Sequence, residues 1–323
     1  MKKPSVIWIA IIWLAFCLAA WLGACTRTAD LVETPLLPPA AARTQAAESA
    51  NAAGNTLSEP TPTAAVIAIP TETPASPTAA QLYAVVYLAE GEVLNVRSGA
   101  GVTNDIVDSL PANARDLQIT GKQQDVDGVN WMEIQLSDGV VGWVSGRFLT
   151  LQVPAPQFCS DAQVGTLLDS LINAIRNQDG AELARLASPI HGLTFQYHIW
   201  GSAVTVTDPQ ALGNLFNSTV DYEWMITDEG VAITGSFKDN LLPPLEDVLL
   251  QSHSRHCNTL EQGVAAGVTQ DGVYWPYDYR GLNYVSLFRP APADNEQDWR
   301  TWVVGIEYVA GKPYLAVLLQ FTY

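Results

Sequence analysis

Leu94-Asn95-Val96-Arg97-Ser98-Gly99-Ala100-Gly101 is the stretch that decides the fold of the middle of this chain. Four residues alternating between apolar and polar read as a strand, and Gly99 and Gly101 then supply the backbone freedom of a tight loop. Working outward, Tyr83–Leu88, Asp116–Thr120, Asn130–Ile134 and Val140–Val144 share the same short alternating texture. Asp127-Gly128 and Asp138-Gly139 sit between such runs as hairpin turns. Five strands within about 65 residues predict a small β-barrel. A core that small depends on large apolar side chains, which Trp131 and Trp143 provide.

That stretch, with Leu110-Pro111, Trp131, Asp138-Gly139-Val140-Val141-Gly142-Trp143-Val144 and Phe148-Leu149, resembles the bacterial SH3 (SH3b) family over residues 82–150. Ala100 stands where the family usually carries Pro, which loosens the turn. The resemblance implies an SH3-like barrel that binds peptidoglycan or a cell-wall peptide. Asn95, Arg97, Trp131 and Trp143 are the candidate ligand-binding residues, beside the Leu94–Gly101 loop. Core packing for the two tryptophans, and a structural role for Asn95 and Arg97, are the competing readings.

The N-terminus gives an address. Lys2 and Lys3 precede a 19-residue apolar run from Val6 to Ala24, which ends in Leu22-Gly23-Ala24-Cys25. This resembles a bacterial lipoprotein signal of residues 1–24, with lipidation on Cys25 and cleavage before it. An uncleaved membrane helix is the alternative, since the run approaches the ~20 residues needed to span a bilayer. Either reading places the body of the protein on the extracytoplasmic face of the cell membrane. Cleavage would remove Lys2 and Lys3 and take the formal charge from −17 to −19. Residues 25–80 are expected to be a disordered tether, because 26–80 contain 15 Ala, 10 Thr and 8 Pro but no aromatic residue.

Residues 81–153 are thus assigned to the barrel, and 156–323 to an α+β domain of unknown function. Val164–Arg176 has apolar residues at helical spacing, and Asp179–Ala187 reads as a second helix stopped by Ser188-Pro189. Strand-like runs follow at 193–206, 222–227, 283–288, 300–309 and 314–322, with short helices at 209–216 and 244–250. Helices followed by a curved antiparallel sheet make this domain α+β, loosely similar to the NTF2-like cone. Ser188-Pro189-Ile190-His191-Gly192 and Asp298–Gly305 also resemble uncharacterised exported bacterial domains, a likeness that brings no activity with it.

The chemistry-bearing residues of this half are scattered. Cys159 and Cys257, an even pair in an exported protein, are expected to form a disulfide. The rival reading, Cys257 as a thiol nucleophile with His253 or His256, lacks a recognisable nucleophile motif and strands Cys159. His191, His198, His253, His256 and Cys257 are ligand types for zinc, but they come from two distant stretches, so no metal site is assigned. Asp221/Glu223, Asp228/Glu229, Glu246/Asp247, Asp294/Glu296/Asp298 and Glu307 include the carboxylate pairs a glycosidase would use, at separations sequence does not show. Asp294–Asp298 lacks the Gly and the spacing of an EF-hand. Tyr274, Trp275, Tyr277 and Tyr279 are expected on a loop, either stacking on sugars or capping the core.

With 33 Asp and Glu against 16 Lys and Arg, the chain is a poor match for nucleic acid. No phosphate-binding glycine loop, Gly-x-Ser-x-Gly elbow or His-Glu-x-x-His sequence is present. The sequence therefore reads as an exported, lipid-anchored envelope protein without a cofactor. Its partners would be the wall, the membrane through its anchor, and a protein partner. The C-terminal domain is expected to be a non-catalytic binding module, the alternatives being a wall hydrolase or a purely structural protein.

Overall fold

A computed structural model describes residues 81–263 and 275–322. The signal segment, Cys25, the tether and Tyr274 lie outside the described residues. Among the described residues no helix is long and apolar enough to cross a membrane.

Seven strands make the barrel: β1 Leu82–Val85, β2 Val93–Arg97, β3 Ile106–Pro111, β4 Leu117–Val126, β5 Val129–Gln135, β6 Val141–Ser145 and β7 Leu149–Leu151. They form one antiparallel sheet in the order β3-β2-β6-β5-β4-β1-β7. Val85, Leu94, Val96, Leu110, Met132, Ile134, Val144 and Leu149 fill its core. Strand β3 escaped the sequence reading because Ile106, Val107, Asp108 and Ser109 are all exposed and only Leu110 turns inward. Met132 and Ile134 face the core, so the twofold alternation of β5 sends Trp131 and Glu133 to the opposite face.

The second half opens with α1 Ala155–Ser160, α2 Ala162–Asn177 and α3 Gly180–Leu186. Asp161 caps α2 by accepting from the Gln163 N–H, and also accepts a hydrogen bond from the Tyr308 hydroxyl at 2.6 Å. The helix buries Val164, Leu167, Leu168, Leu171, Ile172 and Ile175 as one stripe. After it come β8 Leu193–Gln196, β9 Ala203–Val206, α4 Pro209–Gly213, β10 Tyr222–Ile226, β11 Ala232–Gly235 and α5 Leu242–Leu249. The chain closes with β12 Ser254–Cys257, β13 Asn283–Arg289, β14 Arg300–Val309 and β15 Lys312–Thr322. Six of these strands form a sheet ordered β12-β13-β14-β15-β8-β9, and β10–β11 is a separate hairpin.

The sheet departs from the expected purely antiparallel form at one place, where β8 runs parallel to β15. The chain between β8 and β15 runs through β9, α4, the β10–β11 hairpin, α5 and β12–β14, and a connection that long lets the two strands lie side by side in the same direction. Phe195, Phe216, Trp224, Phe237 and Trp302 fill the space between helices and sheet. Cys159 and Cys257 are joined by a disulfide that ties α1 to the end of β12 and excludes the thiol-nucleophile reading. Arg289 pairs with Asp247 and Asp298, and Arg300 also reaches Asp247, so α5 is tied to β13 and β14.

The residues of the barrel and of the α+β domain belong to one compact unit. Strands β14 and β15 are buried at nearly every position rather than every second one. One face meets the helices, and the other carries Val303, Val317, Leu319 and Phe321 in a cluster with Val86, Tyr279, Leu282 and Trp299. Val86, just past β1, brings the barrel onto that second face.

Candidate functional site

On the outward face of the barrel, the register lines up one row of side chains across four strands. Ile106 of β3 pairs with Arg97 of β2, Arg97 with Trp143 of β6, and Trp143 with Glu133 of β5. Trp143, Arg97 and Asn95 are half-buried, and Asn95 sits two pairs along on the same face, opposite Ser109. Two of the four sequence candidates thus lie side by side in one row. Trp131 belongs to the same face of β5 but is only 4% exposed, so it packs rather than offering an open ring.

The surroundings of Arg97 explain the glycine-rich loop. Its Nη1 donates to the Asn104 carbonyl at 2.8 Å, while Asn104 Nδ2 donates to Ala100 O at 2.7 Å. A side chain at position 99 would displace Asn104 from these bonds, since a Cβ there would lie 2.9 Å from its Oδ1. Glu133 is a member of the row that sequence reasoning missed. It accepts from Thr120 Oγ1 at 2.6 Å and from Lys122 Nζ at 3.1 Å, and these bonds, Thr120 first, hold its carboxyl below the usual carboxylate range. The row therefore presents a half-buried cation and a half-buried indole, backed by a carboxylate that is only 6% exposed and already paired with Lys122.

Residues 92–150 match the bacterial SH3 domain family. Bacterial SH3 domains commonly bind cell-wall components. No curated protein and no solved structure matches the chain.

The aromatic segment of the C-terminal half stacks on the protein itself. Trp275 lies over Tyr284 with ring centroids 4.7 Å apart and donates its Nε1–H to Tyr279 O at 2.7 Å. Tyr277 packs against the core of the bacterial SH3 domain, with the Arg280 guanidinium 4.5 Å from its ring centre. Tyr279 is 3% exposed, and burial, followed by the Asp278 charge, raises its phenol far above the ordinary value. The segment caps two cores at once. Arg115 reaches the Arg280 carbonyl, Asn283 Nδ2 donates to Val153 O at 2.8 Å, and the Tyr87 N–H donates to Asp278 O at 2.6 Å.

The same boundary holds a buried polar cluster that no sequence pattern announced. His191 Nδ1 lies 2.9 and 2.8 Å from the two oxygens of Glu307, with side chains 6% and 1% exposed. His191 Nε2 faces the Arg147 carbonyl at 3.0 Å, and Thr150 Oγ1 is 3.4 Å from Glu307. The Tyr87 ring packs 4.8 Å from the His191 ring. Burial, then the nearby Glu307 charge, pushes the Tyr87 phenol well above its ordinary value. His191 and Glu307 were each visible as ionisable residues, but their 116-residue separation concealed the pair.

The concave surfaces are shallow. One of about 450 Å³ lies between the ends of α2 and α5, with Asp169, Arg176, His253 and Arg255 at its rim. A second of about 350 Å³ includes Asp221, Lys238 and Asp239. Asp298, one of the residues weighed as a calcium ligand, is paired with Arg289. Among the described residues no group of three or more His, Cys, Asp or Glu converges to hold a metal ion.

Proposed function

We propose that this is an exported, membrane-tethered envelope protein whose bacterial SH3 domain binds peptidoglycan or a wall peptide through the Arg97–Trp143–Glu133 row. The observation that carries the reading is the family match over 92–150 together with a half-buried indole between a cation and a carboxylate. An indole face contributes apolar contact, and the Arg97 guanidinium beside it orients carbonyl and carboxylate groups of a peptide. Among the described residues, hydrogen bonds that join the two halves use Arg115, Arg147 and Val153 of the barrel side, and Asn95, Arg97 and Trp143 stay half-exposed.

The α+β domain acts as a non-catalytic module fixed to the barrel. Its opening helix pair and long curved strands support the NTF2-like reading, and its interior is filled by Trp224, Trp302 and Phe237. The resemblance of residues 1–24 to a lipoprotein signal, with Cys25 as the acylated residue, supports a membrane location, with the Ala/Thr/Pro stretch as the tether. The test is co-sedimentation of the exported chain with insoluble peptidoglycan, with soluble muropeptides followed in the same tubes. Retention without release supports the reading. Release of fragments makes the protein a wall hydrolase, and absence of retention removes the wall as the ligand.

A further inference from the structure

A basic hollow interrupts the surface of the α+β domain. One wall is a single face of α2, since Asp169, Ile172, Asn173 and Arg176 recur at helical spacing. The other wall is the chain leaving α5, with Leu250 and His253, followed by Arg255 of β12. Together they border about 450 Å³, within the size range of small-molecule sites. Ile172 and Leu249 give the hollow a buried apolar floor. In a chain of formal charge −17, this lining carries two guanidinium groups against one carboxylate.

These polar groups keep bonding capacity beyond their contacts with one another. Arg255 Nη2 donates to Asp169 Oδ1 at 2.7 Å, and Arg176 Nη1 donates to Asn173 Oδ1 at 2.7 Å. A guanidinium has five N–H donors in a planar fork that matches a carboxylate, so most of each fork remains for a ligand. His253 Nδ1 lies 3.1 and 3.0 Å from the carbonyls of Val248 and Gln251. Facing two acceptors, Nδ1 carries the ring proton, which leaves Nε2 of the neutral ring as an acceptor. A ligand that uses all of these groups needs both signs of charge. Phosphate would satisfy the arginines, but it would meet Asp169 with like charge and bring His253 no donor. A simple amine would meet two guanidinium groups. Helices α2 and α5 both end at the hollow, and helix C-terminal ends favour a positive group.

We propose that this hollow binds a free α-amino acid with an aliphatic side chain. The carboxylate pairs with Arg176 and Arg255, the ammonium with Asp169 and the His253 acceptor, and the side chain lies on Ile172 and Leu250. Asp169, Arg176 and Arg255 are exposed, so water screens these pairs and half-saturation is expected near ~1 mM. The site belongs to the α+β domain alone, and wall binding by the barrel is not needed for it.

The test is isothermal titration of the full chain in detergent micelles with alanine, valine and leucine, each in both enantiomers. Leucine is compared with isocaproate, which lacks the amine, with isoamylamine, which lacks the carboxylate, and with inorganic phosphate. Saturable binding of an amino acid is expected, and removal of either end group is expected to weaken it about fivefold or more. Among the described residues the Arg176 side chain bonds only within its own helix, so Arg176→Gln is expected to melt with the wild type. The same variant should bind the amino acid about fivefold more weakly. No saturation by any of the amino acids up to about 10 mM overturns the proposal. Phosphate binding more tightly than every amino acid overturns it too, since the hollow would then be a plain anion site. Amino-acid binding that is unchanged in Arg176→Gln places the ligand elsewhere and overturns the assignment of this hollow.

Discussion

Glu307 is the residue on which the boundary turns. Its carboxyl is almost wholly buried, and its partners are one ring nitrogen and one hydroxyl. Removing one partner of such a pair leaves the other desolvated without compensation. Glu307→Ala is therefore expected to cost about 3–5 kcal/mol in urea unfolding, and a cost below about 1 kcal/mol would show the pair to be incidental. Tyr308 is a milder case. Its hydroxyl donates to Asp161, the cap of α2, and Tyr308→Phe is expected to cost about 1.5–3 kcal/mol. At this scale the sequence disclosed residue types but not company. Arg97 and Trp143 were legible because they stand in a short motif, whereas Glu133 joins them only through the register of β5 against β6. His191 and Glu307 belong to distant segments, and only the tertiary fold makes them neighbours.

Among the elements, Cys159–Cys257 and the 275–282 segment do most to join parts distant in sequence. The disulfide closes a span of 98 residues, so Cys159→Ser with Cys257→Ser is expected to lower stability by about 2–5 kcal/mol by the same unfolding measurement. Gly281 packs directly against the barrel, and a Cβ there would lie 2.5 Å from Val85 O. Gly281→Ala is expected to force the halves apart, seen as faster proteolysis near residues 152–154, while the secondary structure measured by circular dichroism is retained. Strand positions were readable wherever one face met solvent, as in β2 and β6. The long β14 and β15 were readable as strands, yet their uninterrupted apolar character hid the reason, which is that Trp275, Tyr279, Leu282 and Trp299, with Val86 from the barrel side, cover their second face. Strand β3 was missed for the opposite cause, since an exposed edge carries little hydrophobic pattern. The aromatic segment could be placed on a loop but not assigned a role, because stacking on a sugar and stacking on Tyr284 demand the same residue types.

For the molecule as a whole, the shared cluster at the boundary means that the bacterial SH3 domain and the α+β domain should melt together. Calorimetry of the exported chain at pH 6 is expected to give a single transition, and two resolved transitions would show the domains to be independent modules. The formal charge of −17 also keeps surface binding dependent on a few local cations, among them Arg97 and the Lys122 paired with Glu133 on the proposed face. The most direct measurement of the central claim is the retention of Trp143→Ala on insoluble peptidoglycan beside the wild-type chain, both shown to melt at the same temperature. The account predicts saturable retention of the wild type and a loss of tenfold or more in the variant, equivalent to about 1.4 kcal/mol. Equal retention of the two would place any wall contact elsewhere and contradict the assignment of the Arg97–Trp143–Glu133 row.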